Sequence, residues 1–240
     1  MKFCVSLTTI PSRLENLNKT IKSIQSQTLK ADKIFLNIPN KYERFSEKID
    51  EDKLKEIQKD FNIVVNRCAD YGPATKLLGS LNFFQKYEYV IILDDDHIYH
   101  EKMFDIFQKS YLEEKSNYSF YVQKIFDLSM GQGADGILIS NNMLDEIMEF
   151  YKKYVLGNKN LLLNDDLAIS IYINYIKNKK ILDLSEKFKE ETNKDLVYEI
   201  HSSINSLRNV LAKNFLNRRK IAKIEIIKFK IKNYFNNFFQ

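Results

Sequence analysis

Residues 90–100 read "VIILDDDHIYH", four apolar residues followed directly by three consecutive aspartates. The apolar run reads as a short strand buried inside a sheet. Three adjacent carboxylates repel one another, so something has to make that arrangement tolerable. Side chains alternate along an extended chain, which sends Asp94 and Asp96 to one side and Asp95 to the other. Asp94 and Asp96 would then share one divalent cation, and oxygen ligands of this kind suit Mg²⁺ or Mn²⁺. The same triplet also reads as a solvated turn, or as the N-cap of a helix starting near residue 101.

Outward from that stretch, apolar periodicity predicts strands over 3–9, 33–38, 61–67 and 89–93. They alternate with helices over 14–29, over 51–60 and along "ATKLLGSLNFFQKY" from residue 74. A βαβαβαβ order favours a mostly parallel α/β sheet with helices on both faces. Pro11, Pro39 and Pro73, the only prolines, all fall just beyond a strand's carboxyl end. Open α/β sheets bind ligands in the crevice at that edge, and the aspartates sit there too. Beyond residue 100 the pattern predicts a helix over 101–115, a strand over 118–126, a strand at "ILIS" and a helix over 143–156. Three of the six glycines lie between 131 and 136, marking a loop that needs backbone freedom or close ligand approach.

The chain has 240 residues, 44% hydrophobic and 13% aromatic, enough to bury a core and incompatible with a disordered chain. No apolar run approaches the ~18 residues needed to cross a bilayer, and "KFCVSLTTI" lacks a signal peptide's layout. Cys4 and Cys68 have neither disulfide-framework nor metal-site spacing, so both are expected to be small buried hydrophobes in a reducing, cytoplasmic setting. The net charge of +5 is unevenly distributed: residues 208–232 carry nine basic residues against Glu225, a local +8 that leaves −3 elsewhere. A slightly acidic body argues against nucleic acid as a partner. From residue 221, Ile224, Ile227, Ile231, Tyr234, Phe235 and Phe238 recur at steps of mostly three and four, the mark of an amphipathic helix. Flanked by lysines, that stripe suits the anionic inner face of a membrane. It would equally pack on the body or on a second copy. The expected division is a body over 1–205 and a basic extension over 206–240.

Three further stretches carry candidate chemistry. "VSLTTIPSR" (5–13) brings Thr8, Thr9 and Arg13 to the sheet edge, where hydroxyls, backbone N–H groups and one guanidinium suit a nucleotide. Ser12 or Thr9 would otherwise be an ordinary helix cap. "DYGPATK" (70–76) joins Asp70 and Tyr71 to a tight turn and Lys76 at a helix start. Tyr71 would stack on a base, the helix N-terminus would face a phosphate, and Lys76 would neutralise a pyrophosphate. A plain loop capped at Thr75 is the other reading. "NDD" (164–166) opens a strongly apolar helix with two carboxylates, one of them a candidate general base. Asn164 and Asp165 would alternatively cap that helix and favour its dipole.

Taken in order, "VSLTTIPSRLENLNKTIKSIQSQTL", "DYGPATKLLGSL", "VIILDDDHIY", "GADGILIS" and "NDDLAISIYI" resemble a GT-A glycosyltransferase of the family 2 type. The resemblance spans roughly residues 3–178. It implies a GT-A fold and a UDP- or GDP-linked sugar donor bound under Mn²⁺ or Mg²⁺. Asp96 and Asp94 would be metal ligands, with Asp94 and Asp95 near the nucleotide. The acidic pair would deprotonate an acceptor hydroxyl on a glycan or lipid-linked acceptor, the role falling on Asp165 with Asp166 as its substitute. His201 would add a metal ligand and Arg208 would reach the diphosphate, whereas His97 is expected to point away from Asp96. The glycine-rich loop would line the acceptor side through Gly133 and Asp135, and direct displacement would invert the anomeric centre. Asn164 precedes the pair where the commoner form is Glu-Asp, which leaves the choice of base open. The absence of a Gln-x-x-Arg-Trp signature argues against a polymerase. A sugar nucleotidyltransferase and a non-catalytic, membrane-binding relative are the alternatives. The former usually has a glycine-rich N-terminal loop, and no glycine precedes residue 72.

Overall fold

The structure, a computed structural model, describes residues 1–192 and 208–238. Four parallel strands form its first half: β1 (Phe3–Thr8), β2 (Lys33–Pro39), β3 (Val64–Cys68) and β4 (Tyr89–Ile92), in the order β3-β2-β1-β4. Helices α1 (Leu17–Gln25), α2 (Glu51–Phe61) and α3 (Thr75–Leu78) lie in the crossovers, which parallel strands require. Asp50 caps α2 by accepting from the Asp52 and Lys53 amides, and Asn62 ends it in the left-handed region.

After β4 comes α4 (Met103–Glu113), then β5 (Asn117–Ser119), and the hairpin of β6 (Val122–Ile125) and β7 (Leu128–Gly131). β8 (Ile137–Ser140) inserts antiparallel between β4 and β5. Helices α5 (Ile147–Phe150), α6 (Lys159–Leu162) and α7 (Asp165–Ile171) follow, then β9 (Ile181–Asp183), α8 (Ser185–Thr192) and the long α9 (Arg208–Phe238). β9 pairs parallel to β5, which completes a seven-stranded sheet ordered β3-β2-β1-β4-β8-β5-β9. The mostly parallel α/β sheet and the C-terminal helix agree with the GT-A expectation.

Strand alternation sorts the core into two layers. Phe3, Val5 and Leu7 of β1 join Leu17 and Ile21 of α1, Leu54 of α2, Phe104 of α4 and Phe188 of α8 on one face. Cys4, Val90 and Ile92 face the other way, against Leu77 of α3, Phe150 of α5, Leu167 of α7 and Ile226 of α9. Each such side chain contributes roughly 1.5–3 kcal/mol when fully buried, so both helical layers are held by apolar area. Cys4 is buried as expected, while Cys68 is half-buried; both are free thiols. Among the described residues no helix is long and apolar enough to cross a membrane.

Several boundaries depart from expectation. The segment predicted as one strand over 118–126 is two strands in different sheets: Ser119 Oγ accepts from the Tyr121 and Gln132 amides, and the chain turns there. β7 lies in what reads as loop, paired to β6 across a turn with Phe126 at φ 55°. The helix expected from 74 is one α turn followed by a 3-10 segment over 81–86, and the one expected over 143–156 passes from α5 into a π-helical segment over 151–155. β9 and α8 carry too weak a periodicity to be predicted. α9 begins at 208 rather than 221.

Candidate active site

The site lies where β1 and β4 end side by side. β4 stops at Ile92, and the Leu93 amide donates to the Ser6 carbonyl before the chain bends away. The three aspartates are therefore held by the turn that follows rather than by the strand. Tyr99, fully buried, closes that turn: its hydroxyl accepts from the Asp94 amide at 2.9 Å and donates to the Asp94 carbonyl at 3.0 Å.

Each aspartate has its own partner. Asp95 is buried and accepts from Thr9 Oγ1 at 2.6 Å and Arg13 Nη1 at 2.7 Å, while Thr20 donates to its carbonyl. Burial pushes the Asp95 carboxyl up; Thr9 and Arg13 oppose that rise without cancelling it. Asp96 faces outward, 3.1 Å from Arg13 and 2.7 Å from His97 Nδ1. Asp94 accepts from Lys76 Nζ at 2.6 Å. One oxygen each of Asp94 and Asp96 and one nitrogen of His97 lie within 4.8 Å of one another. The expectation that His97 points away from Asp96 is corrected: outside a strand, the turn no longer alternates its side chains.

His97 Nδ1 is buried without a well-aligned hydrogen bond, yet it abuts a carboxylate oxygen. Two carboxylates and one imidazole so arranged fit a divalent cation of the Mn²⁺ or Mg²⁺ kind.

Lys76 joins this group to the second acidic pair. Its side chain is 3% exposed, and its ammonium lies 2.6 Å from Asp94, 2.9 Å from Asp165 and 3.9 Å from Asp166. Burial alone would lower its pKa, but Asp165, Asp94 and Asp166 outweigh that and hold it charged. A buried polar network sets its place. Ser6 Oγ donates to the Lys76 carbonyl, Asn37 Nδ2 donates to Ser6 Oγ at 2.8 Å, and Asn66 and Ser80 donate to Asn37 Oδ1.

Asp165 is buried against Lys76, whereas the Asp166 side chain is 28% exposed and accepts from the Gly133 amide at 3.0 Å. Burial, Asp165 and Asp94 raise the Asp166 carboxyl well above its usual range against the pull of Lys76. Asn164 is the residue before α7, but its side chain donates to the Asn160 carbonyl and caps nothing. Asp135, on the same turn as Gly133, is pushed up to about 6, chiefly by burial, with His97 opposing.

The remaining expected residues are engaged in contacts of their own. Thr8 Oγ1 donates to the Asn37 carbonyl at 2.7 Å. Asp70 accepts from the Gly72 and Glu43 amides, so its carboxylate shapes the loop. Tyr71 is half-buried against the second core layer, and its amide donates to Thr75 Oγ1. Buried Tyr42, not anticipated, donates to the Thr9 carbonyl and ties the β2 loop to the site. His201 and the side chain of Arg208 lie outside the described residues. Tyr99 is the residue that sequence reasoning passed over, although it falls within a few residues of the aspartates.

No protein-family model and no curated protein sequence matches the chain. Among solved structures it is similar to the mannosyltransferase PcManGT from Pyrobaculum calidifontis, in complex with GDP-Man and Mn²⁺, at 12% identity and a TM-score of 0.46. That match covers 61% of this chain and 46% of that one. It is similar to S. aureus TarS at 11% identity and a TM-score of 0.49, over 72% of this chain and 34% of that one. It is also similar to 4-diphosphocytidyl-2C-methyl-D-erythritol synthase from Anaerococcus prevotii, at 15% identity and a TM-score of 0.48, over 76% and 86%. The chain thus spans about half of the first protein's length and a third of the second's. Likeness at this level adds nothing to a choice of reaction, which rests on the site's own groups.

Proposed function

We propose that the chain transfers a sugar from a UDP- or GDP-linked donor to a hydroxyl of a glycan or lipid-linked acceptor, with Mn²⁺ or Mg²⁺ as cofactor. The observation that supports this most is the linkage of two acidic groups through one buried ammonium: Asp94 and Asp96 beside His97, and Asp165 with Asp166, joined by Lys76. Asp94, Asp96 and His97 would hold the cation, which when bound offsets the charge of a leaving diphosphate. Arg13, 47% exposed beside Asp96, is placed to add a guanidinium to the same charge. Thr9 and Asp95 then act as positioning groups that hold Arg13 in place.

For the base we favour Asp166 over Asp165. Asp165 is enclosed by its ion pair, whereas Asp166 is reachable from solvent and has a carboxyl of raised basicity. Base assistance of this kind is typically worth ~10²–10⁴ in rate. Direct attack by the activated hydroxyl opposite the leaving group would invert the anomeric carbon.

Calorimetry of UDP and GDP with and without Mn²⁺ tests the donor site. Metal-dependent affinity that Asp96→Ala abolishes is the expected result, and undiminished affinity in that variant overturns the ligand assignment. A panel of nucleotide sugars, scored for transfer or slow hydrolysis, tests the reaction. Asp166→Asn should keep donor affinity and lose at least ~10²-fold in turnover. If Asp165→Asn alone does this, the base is Asp165.

A further inference from the structure

Helix α9 has two apolar faces, and one of them is buried against the body. Ala222, Ile226 and Phe229 are buried in the second core layer, and Glu225 between them is hydrogen-bonded to Asn158 and Asn160. The stripe expected to be amphipathic is the opposite face. Ile224, Ile227, Ile231 and Tyr234 are 42%, 49%, 53% and 64% exposed. Their spacing of three, four and three residues aligns them along one side of the helix, about half a turn from the docked face. The side chains of Phe235 and Phe238 lie outside the described residues.

Lysines border this stripe on both sides: Lys223 and Lys230 along one edge, Lys228 and Lys232 along the other. On the second edge the helix and the π-helical segment after α5 enclose a recess of about 480 Å³ lined by Lys152, Lys153, Lys159, Lys228 and Lys232. The Tyr154 ring forms its wall, with Lys153 and Lys232 Nζ over it at 5.3 and 5.2 Å. Glu225 is the one acidic residue lining it, and both its oxygens are engaged by Asn158, Asn160 and Lys228. Lys152 and Lys159 make no ion pair among the described residues.

The geometry points to this face as a docking surface for an anionic phospholipid bilayer, with the lysine recess receiving a headgroup phosphate. Isoleucines exposed in line with the helix axis suit insertion at the boundary between headgroups and acyl chains. The flanking cations supply attraction that a neutral surface would not reciprocate. Charge complementarity also disfavours a second copy as the occupant, because two such faces would bring lysine rows against each other. α9 would then lie in the membrane plane with the catalytic body above it. This inference is independent of the sugar-transfer reading, since vesicle binding needs no substrate.

The test is co-sedimentation of the full chain with phosphatidylcholine vesicles that contain or lack phosphatidylglycerol. Binding is expected only with phosphatidylglycerol, and it should fall with added salt. Ile227→Ser with Ile231→Ser should abolish it, while a thermal melt stays unchanged because both side chains are already in solvent. Lys152→Gln and Lys159→Gln should each weaken binding by about fivefold. Retention indifferent to phosphatidylglycerol, or unaffected by the isoleucine substitutions, overturns the inference. Two other outcomes also overturn it: pyrophosphate displacing the vesicles at constant ionic strength, which makes the recess a site for soluble phosphate, or light scattering that shows an isoleucine-dependent dimer.

Discussion

Lys76 shows how one side chain reconciles several like charges. Three carboxylates converge on an ammonium that is 3% exposed, and burial of either sign alone would be prohibitive. The carboxylates hold Lys76 charged, and the pair of Asp94 and Lys76 answers part of the repulsion that "DDD" poses. Lys76→Met removes the cation and leaves Asp94, Asp165 and Asp166 facing one another. We expect a loss of about 3–5 kcal/mol in urea unfolding at neutral pH, the usual cost of breaking a buried ion pair. A variant as stable as the parent would show that the cluster is not held by charge.

At the scale of elements, the turn between β7 and β8 brings the glycine-rich loop onto this cluster, and Gly133 permits the approach. A Cβ there would lie 2.5 Å from Lys76 Nζ, 2.9 Å from Asp94 Oδ1 and 3.2 Å from Asp166 Oδ1. Gly133→Ala must displace at least one of those groups. Misplacement of about 1 Å costs on the order of 10² in rate, so transfer should fall by that much while the melting temperature drops by only a few degrees. Activity equal to the parent's would place the loop outside the reacting geometry. The crowding of glycines between 131 and 136 announced such a loop from sequence, and the strand pattern up to Leu93 announced the sheet edge. What stayed illegible was long-range pairing. Nothing local to "LSMG" marks it as a strand, because its pairing comes from β6 across a turn at Phe126. Nothing local to Ser6, Asn37, Asn66 or Ser80 shows that they meet, since they lie on separate elements and join only when β1, β2 and β3 align. Alternation along an extended chain does not govern Asp94, Asp95, Asp96 and His97, because the strand ends at Ile92; Arg13 Nη1 touches Asp95 and Asp96 together, and His97 turns onto Asp96.

Across the whole molecule, α9 is coupled to the acidic pair through a short path. Glu225 Oε2 accepts from Asn158 at 2.6 Å, and Oε1 accepts from Asn160 and Lys228 at 3.0 Å each. Asn158 caps α6, and α6 leads directly into Asp165 and Asp166. A carboxylate enclosed at the helix interface would rise in pKa through burial, but the two amides and Lys228 outweigh that and hold Glu225 below its ordinary 4.5. A depressed carboxyl contributes stability that is present above its unfolded pKa and lost as pH falls through its folded one. Glu225→Gln keeps the size but turns one acceptor into a donor facing another donor, at a cost of about 1–3 kcal/mol. The stability gap between parent and variant should therefore be full at neutral pH and close progressively below pH 4.5 in urea unfolding. A gap that stays constant through the acid limb would mean that Glu225 holds α9 by packing rather than by charge.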